Sequence, residues 1–139
     1  VGRFTFATTP AEPDFDVVLL DEDVVRDQLS AAEELIYVGH REPALVAAGA
    51  ALEGALRLRG GELAGPRASA AALLEALLAL QTVDDGEYEL LYEALEARDR
   101  LICGYAPESE AAVRPERIGA VLAIVVRLLE GLRQPAEPG

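Results

Sequence analysis

Near its C-terminal third the chain reads 94-ALEARDRLICGYAP-107, a helical pattern that closes on a glycine and a proline. Its apolar stripe runs through Tyr88, Leu91 and Leu95, then meets Arg98 and Asp99, then resumes at Ile102. Helical spacing places an ion-forming pair at or beside the core-facing side. A guanidinium withdrawn from water needs a carboxylate partner, so Arg98 must sit at the edge of a bundle, meet an acid, or meet a second subunit. Glu53 is the natural acid. It interrupts another apolar helix, with Leu52 and Ala55 beside it.

The segment 98-RDRLICG-104, followed by Tyr105, resembles the signature of the HEPN superfamily (higher eukaryotes and prokaryotes nucleotide-binding domains). That signature is an arginine, a polar residue, a few variable positions and a histidine, near the end of the penultimate helix. The Ala/Leu-rich stretch 44-ALVAAGAALEGALRL-58 with Glu53, the loop 39-GHREP-43 and the turn 84-DDGEYELL-91 are also similar to a prokaryotic subset, and the resemblance spans about residues 22–133. It implies a compact helical bundle, often dimeric, and in many members a metal-independent ribonuclease whose motifs meet across the dimer interface. Residue by residue, it implies a degenerate site at Arg98, Asp99 and Cys103, supported by Glu53, Arg100 and Tyr105. Asp99 stands where the family commonly has asparagine, and Cys103 where it has histidine. Ribose 2′-hydroxyl attack needs a group titrating near neutral pH. A thiol that loses its proton becomes an anion and never a cationic acid, and Asp99 adds charge that repels RNA.

Other candidates carry less. His40, the single histidine, lies between a glycine stop signal and a proline, where it reads as a capping or surface residue. With no second histidine and one cysteine, no metal-ligand spacing exists and no metal is expected. The cluster 84-DDGE-87 is too short for a calcium loop and reads as a helix N-terminus complementing the macrodipole. Residues 57-RLRGGELAGPR-67 hold three arginines but no preceding strand and no Lys-Ser/Thr ending, so they read as a linker rather than a phosphate cradle. No cofactor is expected.

The elements that must position these residues follow from periodicity. Helix one runs from Asp21 to Gly39, with stripe Val25, Leu29, Ala32 and Ile36. Helix two runs from Pro43 to Gly60-Gly61, with Leu45, Ala48, Leu52, Ala55 and Leu56, and its many Ala and Gly residues let a neighbour approach closely. Helix three covers Ser69–Gln81, and helix four begins after 84-DDG-86 and ends near Cys103. Helix five begins near Pro115 and carries Ile118, Val121, Leu122, Val125, Leu128 and Leu129. The expected fold is all-α: an antiparallel bundle of about five helices over 21–133 with a short N-terminal β-like extension. That extension, residues 1–20, holds 3-RFTFAT-8 and 16-DVVLL-20 and reads as a hairpin or as a remnant of an upstream domain; 134–139 reads as a frayed tail.

A length of 139 residues fits one domain. Composition is 51% hydrophobic but only 5% aromatic, without Trp or Met, which predicts a closely packed aliphatic core. All 12 basic residues are arginine. The missing methionine, even at position 1, reads as a trimmed chain or a fragment. A formal net charge of −13 opposes non-specific nucleic-acid binding, leaving RNA only a local arginine-lined site. One cysteine excludes an internal disulfide and fits a reducing compartment. No secretory signal is read in residues 1–20, and the longest apolar run, 118-IGAVLAIVV-126, is too short to span a bilayer, so the chain reads as cytoplasmic.

These observations lead to a catalytically inactive HEPN-like domain acting as a dimerisation or protein-interaction module. The expected partners are a second copy and a protein in a larger assembly, in a defence or toxin–antitoxin setting, with no membrane. Two alternatives stand beside it: a HEPN-type ribonuclease with a variant active site, and a nucleotide or small-ligand binding module.

Overall fold

The computed structural model describes residues 21–65 and 67–132, apart from the side chains of Glu62 and Leu63. The expected β-like extension at 1–20 and the tail at 134–139 lie outside the described residues. Within them the chain is all-helical: α1 (Glu22–Tyr37), α2 (Arg41–Ala64), α3 (Ala70–Ala79), α4 (Asp85–Ile102), a 3-10 turn (Glu110–Val113) and α5 (Pro115–Gly131). Among these elements α2 alone packs against every other, so it forms the axis of the bundle. No helix among the described residues is long and apolar enough to cross a membrane.

The core is aliphatic throughout, as the composition predicts. Leu45, Leu52 and Leu56 of α2 meet Leu73, Leu74 and Leu77 of α3, Leu91 of α4 and Ile118, Leu128 and Leu129 of α5, all essentially inaccessible. No aromatic residue joins this buried set. The packing is therefore of branched and short side chains whose fit, rather than ring area, sets stability.

Helix starts follow local chemistry. The side chains of Asp21, Ser69 and Asp84 each accept a hydrogen bond from a backbone N–H of the first turn. Asp84 and Glu87 complete a reciprocal capping box, which explains 84-DDGE-87 without any ligand. Three of the helix stops, after α1, α3 and α4, share one geometry. After α1, the His40 N–H donates to Leu35 O and the Gly39 N–H to Ile36 O, with Gly39 at φ +91°. After α4 the same pair of bonds runs from Tyr105 to Arg100 and from Gly104 to Leu101, with Gly104 at φ +89°. This is the Schellman arrangement, in which a residue in the left-handed region lets the chain turn back on the last carbonyls.

Helix two differs from expectation at both ends. It begins at Arg41, two residues before Pro43, and runs through Gly60-Gly61 to Ala64. The supposed linker from Arg57 is thus largely helical. Its side chains are anchored: Arg57 Nη2 bonds Glu53 at 2.7 Å and Nη1 bonds Ala68 O at 2.9 Å, while Arg59 Nη1 reaches Leu128 O at 3.2 Å. Gly60 is buried against Leu73 and Leu77 of α3. Tertiary anchoring outweighs the roughly 1 kcal/mol per residue by which glycine disfavours a helix.

The stop after α3 repeats the Schellman bonds, Gln81 to Leu78 and Thr82 to Leu77, but the left-handed residue is Gln81, at φ +62°. A residue with a Cβ is strained there by about 1–2 kcal/mol, partly offset on replacement by the greater freedom of unfolded glycine. Gln81→Gly is therefore expected to stabilise the protein by about 0.5–1 kcal/mol, seen as a higher urea midpoint at an unchanged slope.

Candidate functional site

Arg98 lies in the last turns of α4, where that helix crosses α2. Its aliphatic stem rests on Gly49: a Cβ added there would stand 2.6 Å from Arg98 Cγ and 3.0 Å from Arg98 Cβ. The missing side chain at 49 is thus a seat for the arginine. The guanidinium Nη2 donates to Glu53 Oε1 at 2.9 Å and Nε donates to Asp99 Oδ1 at 2.7 Å. Glu53 holds a second arginine, Arg57, through its other oxygen at 2.7 Å. The result is one chain of four charges, Arg57–Glu53–Arg98–Asp99, with its two positive and two negative members in contact.

Burial makes this cluster more than a surface decoration. Only 11% of the Arg98 side chain is exposed, against 30% for Glu53 and 62% for Asp99. Desolvation pushes the Glu53 carboxyl upward, but hydrogen bonds and charge from Arg57 and Arg98 outweigh it and hold its pKa below the ordinary value of 4.5. Arg98 is charge-compensated on two sides. A phosphate at Arg98 would have to compete with these two resident carboxylates.

The remaining residues of the resembling segment do something else. Cys103 is the exposed C-cap of α4, and Gly104 and Tyr105 are the two residues that make the stop. Arg100 turns away to hold the chain after the helix, with Nε bonded to Ala106 O at 2.7 Å and its guanidinium carbon 5.6 Å from the Tyr105 ring centre. Of the six candidate residues, then, Arg98, Asp99 and Glu53 share a cluster. Arg100 and Tyr105 pair with each other, and Cys103 faces solvent. His40 precedes α2 as its N-cap residue but makes no side-chain cap bond, and it is exposed.

Two members were not read from the sequence as part of the site: Gly49, seen only as one of the small residues of helix two, and Arg57, read as part of a linker. Their register is visible in hindsight: Gly49, Glu53 and Arg57 recur every four residues on one face of α2. A groove of about 560 Å³ runs beside the outer face of α4, where Glu93, Glu96, Asp99 and Glu108 face Arg100 and Arg117. Arg117 is bound to Glu93, and four carboxylates against two guanidiniums leave the groove negative, which opposes a phosphate backbone. No group of three or more His, Cys, Asp or Glu side chains is placed to hold a metal among the described residues.

Replacing Glu53 by Gln is expected to cost about 1–3 kcal/mol at neutral pH, because it weakens both arginine contacts in a desolvated place. The pH dependence has a definite sign. A carboxyl with a lowered folded pKa contributes stability above its ordinary value of 4.5 and loses it as pH falls through the folded value. The gap in melting temperature between wild type and Glu53→Gln should therefore shrink on acidification below that point. Gly49 gives a second check. Alanine is favoured over glycine in a helix by about 1 kcal/mol, yet here it collides with Arg98. Gly49→Ala should cost more in wild type than in an Arg98→Ala background, with a coupling of about 0.5–3 kcal/mol in a double-mutant cycle. No family model, no curated protein and no solved structure matches the chain.

Proposed function

We propose that this chain is a HEPN-like helical domain that works by protein contact and not by catalysis, as a homodimer or as a module in a larger assembly. The observation carrying this reading is the neutralised Arg98. A ribonuclease of the resembling type needs an arginine free to meet the scissile phosphate, with a proton-transferring partner one turn on. Here the guanidinium is bound to Glu53 and Asp99, and the residue at the partner position is an exposed thiol at a helix stop.

The contact surface is the end of the bundle where α1 stops, α2 starts and α4 stops. A shallow groove of about 420 Å³ joins residues 39–43 to Ala106, Pro107 and Glu110, so these segments are neighbours. Beside them stand the most exposed large apolar side chains of the described residues: Tyr37 at 90%, Tyr105 at 64%, Ile102 at 61% and Leu80 aside, Val38 at 55%. Aromatic and aliphatic residues gathered at one end of an otherwise acidic surface suit association with a like or apolar face. Two copies at −13 each repel one another, and salt screens that repulsion.

The expected outcome is a dimer in light scattering at micromolar concentration that tightens with added salt. The pair Tyr37→Ser and Ile102→Ser should dissociate it while helical circular dichroism is unchanged. RNA should survive incubation with wild type. A strict monomer that cleaves RNA, with cleavage lost in Arg98→Ala, would overturn the reading.

A further inference from the structure

The solvent side of α4 carries an aromatic ring set among acids. Tyr92 stacks on Tyr88, with ring centres 6.0 Å apart and planes 17° from parallel. Tyr88 packs against the core, whereas Tyr92 is 38% exposed. Carboxylates from two helices bracket the Tyr92 ring. Glu96 of α4, by charge and by a hydrogen bond, pushes the phenol above its ordinary pKa of 10.0, and Glu75 of α3 adds to the effect. The ring also lies in a longer pattern. Asp85, Glu89, Tyr92, Glu96 and Asp99 recur every three or four positions, which puts them on one side of the helix. All five are exposed, and the stripe runs about 21 Å at about 1.5 Å per residue.

We propose that this face of α4 docks an arginine-rich segment of a partner protein, with one guanidinium laid on Tyr92 and others on the carboxylates along the stripe. Charge complementarity selects the occupant. Among the described residues none of Glu75, Glu89 and Glu96 is in an ion pair. The arginines of α4 and of the groove beside it are engaged: Arg98 with Glu53 and Asp99, Arg100 with Ala106 O, and Arg117 with Glu93. The negative face of a ring attracts a cation. A planar guanidinium both stacks on a ring and forks onto a carboxylate, whereas an ammonium is a point charge. The groove of about 560 Å³ continues the acidic path from Glu96 and Asp99 to Glu108. A second copy meeting this stripe across a two-fold axis would set like charges against each other. Tyr92 lies about 15 Å along α4 from Ile102 at the apolar end of the bundle, so this face does not depend on dimerisation there.

The test measures binding of a fluorescent oligoarginine peptide to the full chain by anisotropy at physiological salt, beside an oligolysine of equal length. Wild type should bind oligoarginine, and oligolysine several-fold more weakly. Tyr92→Ala is expected to weaken oligoarginine binding about 2- to 5-fold, with helical circular dichroism unchanged, while Tyr92→Phe, which keeps the ring, binds like wild type. Tyr92→Leu serves the same purpose should Tyr92→Ala fail to fold. Glu96→Gln should weaken binding more than Glu130→Gln, which removes the same charge from α5. Absence of binding by wild type overturns the proposal. So do equal binding by wild type and the ring-less variants, equal losses in Glu96→Gln and Glu130→Gln, or oligolysine binding as tightly as oligoarginine, because net charge alone would then be the attraction. A change of oligomeric state in Tyr92→Ala without peptide also overturns it, because a second copy would then be the occupant.

Discussion

The arginine at position 98 is held where hydrocarbon would ordinarily be found, and much of the bundle's local design answers to that one placement. Its stem needs a gap, and Gly49 supplies it. Its charge needs an acid within the seam, and Glu53 supplies that from α2. Glu53 in turn would be under-compensated by one partial contact with a buried cation, and Arg57 completes it. Removing Glu53 would leave the 11%-exposed Arg98 with Asp99 as its one acid, and a cation withdrawn from water and short of a partner is the costly case for ionic groups. The cluster fixes the crossing of α2 and α4, and through the bond from Arg57 to Ala68 O it also fixes the turn into α3.

This arrangement makes a phosphate-binding role for Arg98 expensive. A guanidinium offers five N–H donors in a fixed fork. Two of its three nitrogens already donate to carboxylates. A resident acid on each side is a competitor at effectively saturating local concentration, whereas a phosphate must arrive against a strongly acidic surface. Arg98 and Asp99 of the resembling segment, with Glu53, form an ion-paired joint between α2 and α4. The stop after α4 shows the same economy. Cys103, Gly104 and Tyr105 form the C-cap, the left-handed residue and the donor to Arg100 O, all of which a helix end needs for its own sake.

How much of this was legible in the chain depends on which interaction decided each feature. Helices one, three, four and five show a clear apolar stripe, because one face meets the core and the other meets water. Helix two is the axis and is covered on most sides, so its periodicity is weak and its ends were misread. Gly60-Gly61 looks like a stop until Arg57 and Arg59 are seen to be anchored across the bundle. The pairing of Arg98 with Glu53 was legible as two polar residues out of place on apolar faces. Gly49 was legible as one of several small residues in helix two that let a neighbour approach, but not which side chain fills the space, which is the stem of Arg98. The placement of Arg100 on Ala106 O depends on how the chain leaves α4, which no helical pattern encodes.

The use of arginine alone for every basic position finds a physical counterpart in the fold. Arg57 binds a carboxylate and the carbonyl of Ala68, and Arg127 binds both oxygens of Glu87 and the carbonyl of Thr82. Arg59 reaches the carbonyl of Leu128 near the end of α5, whose last turn has no basic residue of its own. Each spans two elements, and two of them hold an acid and a backbone oxygen at once. A planar fork can do this with little further loss of freedom, whereas the ammonium of lysine is a point charge on a flexible stem. In a small domain with an all-aliphatic core, these forks provide the direction that apolar packing lacks: they decide where helices end and how they are joined. With 25 acids against 12 arginines the surface stays acidic, and a partner approaching it meets the few exposed apolar side chains, such as Tyr37 and Ile102, that interrupt the charge.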